Sequence, residues 1–180
     1  HGEANALENV VEAAKLLKDL NIQFLFVGDG PEKNKLQNHA KNLKNVIFRN
    51  PIPKSNIPKL IASSDAVILS LKKVELFKYG ISPNKLYDAY AIGRPVITTV
   101  DGMINKEVEK FKLGYTAKPE DPFDLAEAIK KLMLTPRVER ESMGQRARSL
   151  AETNYSRQLI KHEYEKLIIN CIEEEKMGRN

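Results

Sequence analysis

Residues 80–97 read GISPNKLYDAYAIGRPVI, a stretch that carries the start and stop signals of a helix followed by a strand. Ser82 can cap a helix, and Pro83 suits the first helical position, so a helix is predicted to begin here. Gly93 is the residue expected for a left-handed C-terminal cap. Pro95 then opens an apolar strand at the position where a missing N–H matters least. The stretch therefore predicts one helix–strand step of an α/β fold.

The same alternation of helices and short apolar strands continues in both directions along the chain. Strands are predicted at residues 22–27, 46–48, 66–69, 95–98 and 115–117. Helices are predicted at residues 3–19, 31–42, 55–64, 82–92, 104–111, 122–134, 136–152 and 156–176. This order predicts a Rossmann-like, doubly wound parallel sheet with helices on both faces. Such a domain normally opens with a strand, whereas this chain opens with a loop and a helix. We therefore expect the domain to lack its first strand.

Composition narrows the classes of function. The chain has 180 residues, of which 42% are hydrophobic, and its single cysteine, Cys171, permits no internal disulfide, which suits a reducing cytoplasm. No apolar run approaches the roughly 18 residues of a membrane-spanning helix. Few aromatic residues and the absence of zinc-finger spacing argue against nucleic acid as a partner. The formal net charge is +5.

The positive charge is concentrated between Glu32 and Asp65, a segment that contains no acidic residue. Such a run can be simply a solvated face, or it can attract phosphates of a nucleotide or of anionic lipid, and both interpretations stay open. Its basic residues are Lys33, Lys35, Lys41, Lys44, Arg49, Lys54 and Lys59.

The helix predicted from Ser82 has the physical properties of an anion site. Doubly wound sheets bind ligands at the carboxyl ends of their strands, where loops meet helix N-termini. Free N–H groups in the first turn, the positive end of the helix dipole and the Lys85 ammonium all favour a phosphate. Asp88 lies four residues after Asn84 on the same helix face and could accept hydrogen bonds from a diol. A capped helix with surface charges is the alternative interpretation.

Residues 88–97, DAYAIGRPVI, closely resemble the signature of glycosyltransferase family 4, in which an acid and a small residue precede Ala-x-Gly-x-Pro-Val-Ile. Residues 82–86, SPNKL, are similar to a subgroup involved in building bacterial surface polysaccharides. FVGDGP at 26–31 resembles the family's second strand and turn, and DAVILS at 65–70 its strand entering the donor site. Residues 1–14 resemble the loop and helix that follow the first strand of the family's C-terminal domain.

This resemblance implies the C-terminal half of a two-domain GT-B enzyme. Residues 1–155 would form the domain that binds a nucleotide-sugar donor, and residues 156–180 a helix that crosses back to an N-terminal domain. Asp88 stands where the family places the acid that holds the ribose. Gly80 replaces the family's first acid, which usually contacts the donor sugar, and the loop at His1 and Gly2 is implied as a further part of the donor-sugar site. The other implied contacts are Ser82, Pro83, Asn84 and Lys85 for the diphosphate and Ile52 and Pro53 for the base.

The function expected from this resemblance is transfer of a sugar from a nucleoside-diphosphate sugar, with UDP as the nucleotide, to a glycan or lipid-linked acceptor. No Asp-x-Asp motif and no clustered histidines occur, so we expect neither a metal nor another cofactor. The catalytic residues on the acceptor side would lie in the N-terminal domain, so the 180-residue chain alone should be inactive. We expect it in the cytoplasm, either free or peripherally bound at the inner face of the cell membrane.

Two other classes of function stay open at this point. The two-domain architecture is shared by nucleotide-sugar epimerases and phosphorylases. A non-catalytic flavodoxin-like binding module, such as a phospho-receiver domain, would need paired acids at the strand ends. The strand ends offer Asp29 and Asp101 but no such pair.

Overall fold

A computed structural model describes residues 1–177 and places five short parallel strands at the centre of the molecule. Each predicted strand is present within about two residues of its expected limits, which is ordinary for strand boundaries. The strands are β1 Phe24–Val27, β2 Val46–Arg49, β3 Val67–Ser70, β4 Val96–Thr99 and β5 Gly114–Thr116. Hydrogen bonds join β1 to β2 in one parallel pair and β3, β4 and β5, in that order, in a second parallel sheet.

The predicted helices are also present before, between and after the strands. They are α1 Leu7–Leu16, α2 Lys33–His39, α3 Ile57–Ala62, α4 Asn84–Ile92, α5 Met103–Phe111, α6 Pro122–Leu134, α7 Arg137–Asn154 and α8 Arg157–Met177. Three 3₁₀ turns were not predicted, at Glu3–Asn5, Lys54–Asn56 and Glu75–Tyr79. Two predicted helix ends are confirmed in detail. Gly93 adopts a left-handed conformation after α4, and the Asp121 carboxylate accepts hydrogen bonds from the Phe123 and Asp124 N–H groups at the start of α6.

Apolar side chains cover both faces of the sheet. Val96 and Ile97 are adjacent residues of β4, so their side chains point to opposite faces. Val96 belongs to a buried cluster that includes residues of α4, α5 and α7, and Ile97 to a second cluster that includes residues of α1, α2 and α6. All four residues of β4 are buried. The predicted doubly wound α/β architecture is therefore confirmed.

The sheet is interrupted between β1 and β3, which form no ladder with each other. Residues 1–6 lie at the carboxyl ends of both strands. The Ser70 hydroxyl at the end of β3 donates to the Ala6 carbonyl at 3.3 Å, and the Lys72 N–H donates to the Ala4 carbonyl at 3.0 Å. On the other side, the Glu32 N–H after β1 donates to the His1 carbonyl at 3.2 Å. The opening segment therefore bridges the loops that follow β1 and β3.

Candidate functional site

The N-terminus of α4 begins two residues later than the sequence suggested. Ser82 does not cap the helix, and Pro83 is not its first residue. Pro83 has extended backbone angles (φ −81°, ψ 116°) and its carbonyl accepts a hydrogen bond from the Leu86 N–H, which makes it the cap residue. A proline ring fixes φ but leaves ψ free, so Pro83 fits this position as well as the predicted one. The Ser82 hydroxyl instead lies 3.5 Å from the Tyr87 hydroxyl.

This shift leaves the first turn of α4 open. No side chain among the described residues caps it, so the N–H groups at Asn84 and Lys85 remain available to a ligand. The exposed side chains of Asn84 and Lys85 stand at the positive end of the helix dipole. An open helix N-terminus with a cation beside it is a suitable place for a phosphate group.

Lys85 reaches across to the opening segment of the chain. Its Nζ donates to Asn5 Oδ1 at 2.8 Å, and among the described side chains no carboxylate forms an ion pair with it. Although much of the side chain is exposed, desolvation of the ammonium lowers the pKa of Lys85. The contact brings together two segments that are 80 residues apart in sequence.

Two other lysines near the opening segment, Lys72 and Lys35, form ion pairs with glutamates of the first 3₁₀ turn and of α1. Lys72 Nζ lies 2.5 Å from Glu3 Oε1, and Lys35 Nζ lies 2.8 Å from Glu8 Oε2. The hydrogen bond from Lys72 and its charge hold the pKa of Glu3 below its usual value, and Lys35 acts on Glu8 in the same way. The positive charge of Lys85 is therefore the least compensated of the three.

Asp88 occupies the exposed face of α4 one turn beyond Asn84. Its carboxylate makes no hydrogen bond or ion pair with another described residue. It can therefore accept hydrogen bonds from a diol placed alongside the helix.

The two tyrosines of α4 pack against neighbouring elements. The Tyr87 ring lies 4.8 Å from Tyr155, and the fully buried Tyr90 donates to Glu107 at 3.1 Å.

The remaining predicted site residues surround the same end of the sheet. Gly80 has a positive φ of 135°, and a Cβ atom there would lie 3.8 Å from the sulfur of Met103. The His1 ring lies beside Phe26 and Phe48, with centroid separations of 6.3 and 6.0 Å. Gly2 contributes its carbonyl to Asn5, as described below. The part-buried Ile52 and the exposed Pro53 lie in the loop after β2, which leads into α3.

Asn5 and Lys72 were missed in the sequence, although the structure places both at this site. Asn5 lies in the opening loop, where the family resemblance implies only His1 and Gly2 as site residues. Its amide nitrogen and its backbone N–H both donate to the Gly2 carbonyl, at 3.2 and 3.1 Å. Neither residue belongs to a motif or to a helical or strand periodicity. The only feature of the sequence that could have indicated Asn5 is its position in the loop of His1 and Gly2.

Two open cavities flank this corner of the molecule. The larger, of about 310 Å³, lies at the carboxyl ends of β3 and β4, and the smaller, of about 200 Å³, lies between the opening segment and α2. Lys72 lines both of them.

Among the described residues, no group of three or more His, Cys, Asp or Glu side chains is placed to hold a metal ion. No helix within residues 1–177 combines the length and apolar content needed to span a bilayer.

Comparison with known proteins identifies the family. Residues 3–150 match the sequence pattern of the family described as Glycosyl transferases group 1. The chain belongs to this family. The match covers the strand–loop–helix units described above, and it confirms the resemblance noted in residues 88–97. The family match does not favour the alternative functions, which were a nucleotide-sugar epimerase, a phosphorylase and a flavodoxin-like binding module.

Individual relatives of this group 1 glycosyl transferase chain are distant. N-acetyl-alpha-D-glucosaminyl L-malate synthase of Bacillus anthracis is 28% identical over 177 residues, which are 96% of this chain and 44% of that protein. A crystal structure of Anabaena Alr3699/HepE in complex with UDP gives a TM-score of 0.78 at 17% identity, over 94% of this chain and 46% of that one. The chain thus spans less than half of either protein.

A third relative resembles the chain in extent as well as in fold. The crystal structure of the C-terminal domain of the group 1 protein LpcC from Francisella tularensis has a TM-score of 0.70 and 23% identity. The alignment covers 87% of this chain and 83% of that domain. At this identity the likeness concerns the fold alone, and it supports the Rossmann-like architecture.

Proposed function

We propose that the chain is the donor-binding domain of a GT-B glycosyltransferase, which moves a sugar from a UDP-linked donor to a glycan or lipid-linked acceptor during bacterial surface-polysaccharide synthesis. The observation that carries the proposal is the open N-terminus of α4, where Lys85 supplies a cation that no carboxylate of the described residues neutralises. The family membership supports the reaction class, and the UDP bound to the Anabaena structure supports the choice of nucleotide.

Each site residue then has a role that its position permits. The N–H groups at Asn84 and Lys85 and the Lys85 ammonium would hold the diphosphate, with Ser82 and Pro83 shaping the approach to the helix. Asp88 would accept hydrogen bonds from the ribose, and Ile52 and Pro53 would line the base. Gly80, His1 and Gly2 would face the donor sugar. As the sugar leaves, these cationic and N–H groups would stabilise the charge that develops on the diphosphate, without a metal.

Calorimetric titration of the 180-residue chain with UDP and UMP, in the presence of a chelator, tests the proposal. UDP should bind more tightly than UMP, because the second phosphate contacts the α4 N-terminus. The Lys85→Ala substitution should weaken UDP binding by on the order of 1 to 2 kcal/mol, the scale of a charge-assisted hydrogen bond. Lys44→Ala, which removes an exposed lysine in the α2–β2 loop, is the matched control. Equal affinity for UDP and UMP, or binding only with magnesium, would contradict the proposal.

We further propose that the domain works in the cytoplasm and associates weakly with the inner face of an anionic membrane. The acid-free segment between Glu32 and Asp65 carries the charge for this. Lys33 donates to Asn50, and Lys35 is paired with Glu8. The other five cations are exposed and form no ion pair with described residues, namely Lys41, Lys44, Arg49, Lys54 and Lys59.

Sedimentation with vesicles tests this second proposal. Vesicles of phosphatidylglycerol and phosphatidylcholine should carry the chain down, whereas pure phosphatidylcholine should not, because each basic residue near an anionic surface contributes about 1 kcal/mol. Replacing Lys41, Lys44 and Lys59 by glutamine should release the protein. Replacing Lys130, Lys161 and Lys166, which pair with glutamates of their own helices, is the control. Identical sedimentation of both triple variants would make the segment a solvated face only.

A further inference from the structure

The geometry points to Asn5 as a positioning residue, and we propose that it holds the Lys85 ammonium at the N-terminus of α4 without neutralising it, so that the full charge faces the donor diphosphate. This inference rests on the proposed function of the α4 site. It assigns a role to Asn5, which lies far in sequence from the signature at residues 88–97 and from helix α4.

The hydrogen bonds of Asn5 fix which end of its amide faces Lys85. The amide nitrogen can only donate, and it lies 3.2 Å from the Gly2 carbonyl, which can only accept. The amide oxygen therefore points the other way, where it accepts from Lys85 Nζ at 2.8 Å. An ammonium has no acceptor capacity, so the opposite orientation of the amide would leave both contacts unfavourable.

The opening loop holds Asn5 firmly in this place. The Asn5 backbone N–H also donates to Gly2, at 3.1 Å, which closes a tight turn. The neighbouring residues Ala4 and Ala6 accept hydrogen bonds from Lys72 and Ser70 at the end of β3. The amide oxygen that receives Lys85 is therefore attached to the sheet through the turn, and the flexible lysine stem gains a fixed end point.

The chemistry of an amide distinguishes this contact from its neighbours. Lys72 and Lys35 end on carboxylates, which offset their charge locally. An amide oxygen accepts a hydrogen bond but carries no formal charge, so Lys85 keeps its attraction for an anion. A carboxylate at the same 2.8 Å would compete directly with a phosphate for the ammonium.

The substitution Asn5→Asp tests this role because it adds a charge with almost no change in shape. It also removes the side-chain donor to the Gly2 carbonyl, a loss that Asn5→Ala shares. We expect Asn5→Asp to weaken UDP binding by about tenfold and UMP binding by much less. Asn5→Ala, which loses the side-chain bond to Gly2 and the lysine contact but adds no charge, should weaken UDP binding only about threefold. Asn38→Asp adds the same charge at an exposed position of α2 and should leave both affinities unchanged.

A double-substitution cycle separates positioning from a structural effect on the loop. In a Lys85→Ala background, Asn5→Asp should change UDP affinity by less than about twofold, since the ammonium that it would neutralise is gone. Circular dichroism and melting temperature establish that each variant is folded. If wild-type chain prefers UDP to UMP but Asn5→Asp retains that preference, or if its effect persists without Lys85, the role of Asn5 is wrong while the proposed function stands. If wild-type chain shows no such preference, the proposed function itself fails.

Discussion

Asp88 is the residue for which the structure makes the sharpest mutational prediction. Its exposed carboxylate has no partner among the described residues, so its replacement should disturb binding and not the fold. Asp88→Asn should weaken UDP binding by about 1.5 kcal/mol, the scale of hydrogen bonds to a charged acceptor. The variant should also discriminate less between UDP and its 2′-deoxy analogue, measured by parallel titrations. Asp19→Asn, at an exposed position after α1, is the control, and an unchanged affinity ratio would make Asp88 an ordinary surface acid.

At this scale the sequence predicted those features that depend on local spacing. The face shared by Asn84 and Asp88 follows from helical periodicity, and the cap at Asp121 follows from a side chain next to its own helix. The contact between Asn5 and Lys85 joins residues 80 positions apart, and no local rule encodes such a distance. The error at Ser82 has a different cause, because Pro83 suits both the cap and the first helical turn.

Among the elements, α4 and α7 cross so closely that a side chain at the crossing would not fit. A Cβ atom at Gly144 of α7 would lie 2.0 Å from the Gly93 carbonyl oxygen, which belongs to the backbone and cannot rotate away. We expect Gly144→Ala to destabilise the domain by about 1 to 3 kcal/mol in urea unfolding, since overpacking outweighs the roughly 1 kcal/mol gained in helix propensity. Gln145→Ala, on the exposed side of the same helix, should be nearly neutral. Increased stability of the Gly144 variant would show that the two helices can separate.

Helix α7 also supplies arginines to the carbonyl ends of three other helices. Arg148 donates to Ala91 at the end of α4, and Arg146 donates to Lys112 after α5 at 2.8 and 3.0 Å. Arg140 donates to Thr135 after α6 at 2.8 Å. A cation is favourable at a helix C-terminus because the unpaired carbonyls are its negative end. The sequence predicted α7 as a helix. The carbonyl groups that its arginines contact depend on the tertiary arrangement, so they could not be predicted from residue spacing.

For the molecule as a whole, two surfaces remain uncovered in the described chain. One consists of backbone edges of β1 and β3, since β1 pairs only with β2 and β3 only with β4. The other is the apolar stripe of α8, where Tyr164, Leu167 and Ile168 are 56 to 64% exposed. The two sets of strands form no ladder with each other. The division of the chain at residues 155 and 156 stays a prediction, and residues 178–180 lie outside the described part.

These two surfaces predict a chain that folds but self-associates and has only marginal stability. Unpaired strand edges and exposed apolar stripes both favour contacts between copies. Extending the chain upstream of His1 by a strand-forming segment should raise the melting temperature, because the new strand would satisfy backbone groups of β1 and β3 at once.

Replacing Leu167 and Ile168 by glutamate should reduce association through α8 in sedimentation velocity, with little change in melting temperature. If α4 binds the donor as proposed, turnover should also require an N-terminal domain, because the resemblance to two-domain GT-B enzymes places the acceptor site there. Measurable sugar transfer from UDP-sugar by the 180-residue chain alone would overturn this last expectation.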